Sequence, residues 1–205
     1  EHLKWFFLFT PFLSLPAIAD NFDYNSFNNH GVVGLVNMPT ARMFDEGVIG
    51  VTIYDGTPDQ KITITSSPYD WLEASIFYSN IEENPVGCNF RNCRKDKGFN
   101  FKFRLKEEGI LPAIAIGIND IAGTGLYSSE YLVASYGINN FDFHLGMAWG
   151  TLNGADSKIK NPFIDIDSSF QNRPITYEGA GGQFQASRYF SSVFVFHVKS
   201  SKKNS

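Results

Sequence analysis

The chain has 205 residues, a net charge of −4 and 19% charged residues, against 16% aromatic residues that include 20 Phe and 9 Tyr. That length holds one domain with a real core and is too short for two comfortable ones, and the acidic balance gives no basic footprint for nucleic acid. Many aromatics with few charges fit a chain whose outside is partly apolar, and fit equally a soluble β-sandwich with a large core.

At the N-terminus, Lys4 leads into WFFLFTPFLSLPAIA, which ends in Ala17-Ile18-Ala19 before Asp20. A basic start, a short apolar run and an A-x-A end predict a signal peptide over residues 1–19, cleaved after Ala19. Pro11, Pro16 and the shortness of the run argue against a transmembrane anchor. No cysteine stands at the cleavage site, so no lipid anchor is expected. Residues 20–30 open the stretch DNFDYNSFNNHG, which is Asn-rich and polar and reads as a poorly ordered or docking segment.

From residue 31 to 198 almost every segment reads as strand. The predicted strands are 48–54, 61–66, 71–79, 98–106, 112–119, 129–137, 141–150, 176–186 and 191–198, with turn signals between them (DGTPD, SSPYD, EEG, NDIAGTG, INN). No long amphipathic helix pattern appears. The polar, basic residues 199–205 form a tail. This spacing describes an all-β antiparallel meander.

Within the strands the alternation is strict. In GFNFKFRLK, Phe99, Phe101, Phe103 and Leu105 oppose Asn100, Lys102, Arg104 and Lys106. In FDFHLGMAWG, Phe141, Phe143, Leu145, Met147 and Trp149 oppose Asp142, His144, Gly146, Ala148 and Gly150, and WLEASIFYS alternates in the same way. Successive side chains on a strand point to opposite faces, so each strand carries one large apolar face and one small or polar face. Two architectures satisfy that pattern. A soluble sheet packs its apolar face into a core and wets the other, whereas an outer-membrane barrel turns the apolar face to lipid and lines a lumen with the polar one.

In CNFRNC, Cys88 and Cys93 are too few for a metal site. In an exported chain they read as a disulfide clipping a loop, with free thiols as the alternative. FIDID puts Asp165 and Asp167 on one face of an extended segment, and with Glu178 they are candidates for an acid pair or calcium site, a solvated loop being the simpler reading. His144, beside Asp142 on the polar face, has no nucleophile motif near it and reads as structural. Gly123-Thr124-Gly125 lacks the trailing Gly-Lys of a phosphate loop and reads as a turn. No catalytic residue, metal or cofactor is expected.

Several blocks in order go further: GVVGLVNMPTARM at residues 31–43 followed by DEG, DWLEAS at 70–75, KDKGF at 95–99, LPAIA at 111–115, GTGLYSSEYLVAS at 123–135, and FDF at 141–143 with Gly146 and Trp149-Gly150. Over roughly residues 31–155 the chain resembles the YjbH/GfcD-like family of outer-membrane proteins linked to exopolysaccharide biosynthesis. The resemblance implies a transmembrane β-barrel, or a truncated part of one, serving polysaccharide biosynthesis or export in the outer membrane of a Gram-negative bacterium and not acting as an enzyme. Family members continue through more strands, whereas here VFVFHV gives way to the polar tail, which leaves barrel closure open. On this reading Lys102, Arg104, Lys106, Glu73 and Asp142 face the lumen and the polysaccharide, with a basic strip suited to an acidic polymer. The partners are outer-membrane lipid, polysaccharide and other proteins of an export machine, and no nucleic acid. A soluble periplasmic β-domain that binds glycans or protein partners is the second reading, and a periplasmic hydrolase using the carboxylates named above is the third.

Overall fold

The computed structural model describes residues 26–56, 59–81, 94–123, 125–139, 141–152, 161–168, 170 and 193–198. The signal peptide, Cys88 and Cys93, the strand expected at 176–186, Glu178 and the polar tail lie outside the described residues.

A small hairpin opens the fold, β1 (Gly34–Leu35) pairing with β2 (Met38–Pro39). Seven strands follow: β3 (Ile49–Asp55), β4 (Asp59–Tyr69), β5 (Leu72–Ile81), β6 (Arg94–Lys106), β7 (Ala113–Ile121), β8 (Ser129–Ile138) and β9 (Phe141–Gly150). A 3-10 turn at Pro162–Asp165 precedes β10 (Val193–Val198). Strands β3 to β10 form one antiparallel sheet in which every neighbour in sequence is a neighbour in space, and β3 and β10 are its two ends. The sheet is a curled half-barrel meander with almost no helix. The strands expected within the described residues are present, most of them longer than the alternation alone marked.

The connections differ between the two ends of the sheet. Residues 70–71, 107–112 and 139–140 make the turns at one end, while the longer connections 82–93, 122–128 and 151–192 all lie at the other, with 56–58. On the outer face of the short-turn end, Trp71 stacks between Tyr69 and Phe103, with ring centroids 5.4 and 6.3 Å away.

Burial is inverted relative to an ordinary sheet. Ile49, Val51, Ile53, Ile62, Ile64, Ile76, Phe99, Leu105, Leu145 and Met147, all on the large apolar face, are exposed, Ile53 to 79%. On the opposite face Thr63, Thr65, Glu73, Ser75, Asn100, Lys102, Asn119, Ser135, Asp142 and His144 are buried.

What buries them is the N-terminal segment. Residues 26–45 lie across the polar face, with Val32, Val33 and Ala41 buried against it. Phe27 packs against Phe44 with ring centroids 4.7 Å apart and planes tilted by 50°, and occupies the space where Gly50 of β3 has no side chain. Within the stretch read as poorly ordered or docking, residues 26–30 are seated on the sheet. Asn28 is buried, and its Oδ1 accepts from the amides of His30 and Val32 at 2.9 and 3.1 Å, closing a local turn that the Asn-rich composition concealed.

Candidate functional site

The site is the polar face of the sheet together with the segment seated on it. Its centre is one cross-strand row, in which Glu73, Lys102, Gly117, Tyr131 and Ala148 are successive partners on β5 to β9. Gly117 leaves room for the Tyr131 ring to lie over it, since a methyl group there would collide with the ring. Lys102 Nζ stands 3.1 Å from Glu73 Oε1, and both side chains are fully buried. An ion pair so far from water survives only when further hydrogen bonds complete it. Lys102 Nζ also donates to the carbonyls of Val33 and Arg42 at 3.0 and 2.9 Å, and Glu73 Oε1 accepts from the Val33 amide at 3.0 Å.

Toward the short-turn end, Arg42 reaches back to the sheet. Its Nε and one terminal nitrogen donate to the two oxygens of Asp142 at 2.9 and 2.6 Å, and its other terminal nitrogen meets Glu108 at 2.5 Å. Burial alone would lower the pKa of this guanidinium, but its hydrogen bonds and charge pairing with Asp142 and Glu108 outweigh that and raise it. Next to this pair, Ser135 and His144 are cross-strand partners, with Oγ and Nδ1 2.8 Å apart, and His144 Nε2 lies 3.5 Å from Asp142. These are the residue types of a hydrolytic triad with the two ring nitrogens exchanged, since in a triad the serine meets Nε2 and the carboxylate Nδ1. Yet Ser135 is only 1% exposed, its Oγ accepts from the Ala41 amide at 2.9 Å, and Asp142 is held by Arg42. A substrate has no approach to that hydroxyl while residues 26–45 are seated.

Toward the long-loop end, Lys61 is buried 3.5 Å from Asp59, with its ammonium 3.6 Å above the Tyr127 ring. The Tyr127 hydroxyl donates to Asp59 Oδ2 at 2.6 Å and lies 2.9 Å from Ser79 Oγ. The 122–128 loop thus folds onto the polar face, held also by the Tyr127 amide donating to Asp120 at 2.9 Å.

Of the predicted lumen residues, Glu73, Lys102 and Asp142 come together on this face through residues 33–42, while Arg104 sits farther along, 3.5 Å from Glu107. Lys106 lies past a register shift between β6 and β7 at Arg104/Lys106, where its cross-strand partner is Ile114. The face is not a basic strip, because Asp59, Glu73, Asp96, Asp120 and Asp142 intersperse the cations along it. Asp165 ends a 3-10 turn capped by Asn161, so the extended geometry expected to align it with Asp167 is absent. Among the described residues no group of three or more His, Cys, Asp or Glu side chains is arranged to hold a metal ion.

Residues 26–196 match the model of a family described as "Exopolysaccharide biosynthesis protein YbjH". The chain is 36% identical over 161 residues to the "Uncharacterized lipoprotein YjbH" of Escherichia coli (strain K12), an alignment covering 76% of this chain and 23% of that protein. The chain therefore spans about a quarter of the length of this curated relative. No solved structure matches it.

Proposed function

The chain belongs to the YjbH family of exopolysaccharide biosynthesis proteins, and on that premise we propose that it forms an outer-membrane β-barrel, or part of one, that serves polysaccharide biosynthesis or export without catalysing a reaction. Its partners are outer-membrane lipid, the polysaccharide and other proteins of the export machinery. The observation that carries this reading is the inverted burial. Each large apolar side chain left in water forgoes about 1.5–3 kcal/mol, and a contiguous face of them is rare on a soluble monomer. Hydrocarbon removes that cost, and the same sheet then keeps its charges inside.

Two further features support it. The three longest connections share one end of the sheet, an asymmetry of the kind outer-membrane barrels have, and the Tyr69–Trp71–Phe103 stack lies where an interfacial aromatic girdle belongs. The lipoprotein name of the Escherichia coli relative is in keeping with a membrane-associated protein. Hydrocarbon does not tolerate an open sheet edge, so in the membrane β3 and β10 are paired with each other or with further strands.

The test is fractionation. The protein is expected in the outer membrane and, once extracted in detergent, migrates differently before and after boiling. Recovery in the soluble periplasmic extract, with migration unchanged by heat, would favour the soluble β-domain instead.

A further inference from the structure

We propose that residues 26–45 are an exchangeable plug, an internal ligand of the polar face that leaves it without unfolding the strands, with Arg42 as its latch. The sheet holds this segment chiefly by its main chain. Thr65 Oγ1 donates to the carbonyl of Gly31, Asn100 to that of His30 at 3.3 Å, and Lys102 to those of Val33 and Arg42, while Glu73 and Ser135 accept the amides of Val33 and Ala41. A surface that recognises backbone carbonyls and amides along an extended chain is suited to trade them for water or for another extended, hydroxyl-bearing chain.

The segment is also separable. Strands β1 and β2 pair with each other and share no ladder with the eight-stranded sheet. Val36, at the tip of their turn, has φ of 42°, a left-handed conformation unfavourable to a β-branched residue. The fit of the segment is polar but incomplete: Asn28 Nδ2 within it, and Glu73 Oε2 and the Tyr131 hydroxyl beneath it, are buried without a hydrogen-bond partner among the described residues. A permanent core satisfies such groups, whereas a compartment that is intermittently wet need not. Beside these main-chain holds stands Arg42, whose paired contacts to Asp142 of β9 and Glu108 of the 107–112 turn make the one multidentate side-chain ionic clasp of the segment among the described residues. This inference goes beyond the membrane reading, because it holds whether the apolar face meets lipid or protein.

The full chain carrying Cys88→Ser, Cys93→Ser and Ser75→Cys tests it, through the rate at which a polar maleimide labels position 75, buried in the seated state. Arg42→Ala, and separately Gly31→Leu, whose side chain collides with Thr63, should each raise that rate roughly tenfold while the β-sheet circular dichroism is kept. An unchanged rate in both folded variants would overturn the proposal. The unaltered chain gives a second reading by hydrogen exchange. The Val33 and Ala41 amides should exchange together and ahead of the β5–β8 ladder amides, through a sub-global opening. If they exchange only when those ladder amides do, residues 26–45 are permanent core and the proposal fails.

Discussion

Single side chains set the character of the polar face. Gly117 and Tyr131 act as a unit, since the ring occupies the volume that any side chain at 117 would need. Gly117→Ala should destabilise the fold by about 1–3 kcal/mol by overpacking. In a Tyr131→Ala background the same change should cost much less, a non-additivity that a double-mutant cycle of urea unfolding measures. His30 sits in the plug segment, and burial of its ring, with the Lys61 cation as a second cause, lowers its pKa from 6.5 to about 3. The unfolded chain therefore takes up a proton below pH 6.5 that the folded one refuses. Stability from this group is whole above 6.5 and drains away as pH falls toward 3. The urea midpoint should drop between pH 7 and pH 5, and His30→Gln should shrink that drop; equal drops would mean that His30 is not held neutral. Residue-scale chemistry was only partly legible in the sequence. Lys102, Glu73 and Asp142 were marked by alternation. Their partners were not, because Lys102 and Glu73 bond to the main chain of Val33 and Arg42, and a backbone atom leaves no trace in composition.

At the scale of elements, alternation of large apolar and small polar residues specified β3 to β9 almost completely, since a half-buried strand has a two-residue period. The 26–45 segment has no such period. Its strands are two residues long, and Arg42 meets a partner 100 positions away, so neither pattern nor spacing announced it. Nor could alternation say which face was covered. The structure makes that question testable at Ile64 and Ile76, cross-strand partners on β4 and β5 that stand half exposed. If water bathes them, Ile64→Arg or Ile76→Arg should change stability by no more than about 0.5 kcal/mol. If lipid does, each should cost about 2–4 kcal/mol near the bilayer midplane. The account predicts the larger loss, read from urea unfolding in phospholipid vesicles.

On the scale of the whole molecule, the fold is a sheet turned inside out, with its greasy surface open and its charges held against a segment of its own chain. The family to which the chain belongs is described by exopolysaccharide biosynthesis, and the proposed membrane setting explains why the architecture is stable. The most direct measurement uses spin labels at Ile64→Cys and Ile76→Cys, with Cys88 and Cys93 replaced by Ser, in lipid bilayers. Collisions with dissolved oxygen, which concentrates in hydrocarbon, should be frequent at both positions, and collisions with a water-soluble nickel chelate should be rare. Frequent nickel collisions at both positions, in protein shown to be folded, would contradict the account.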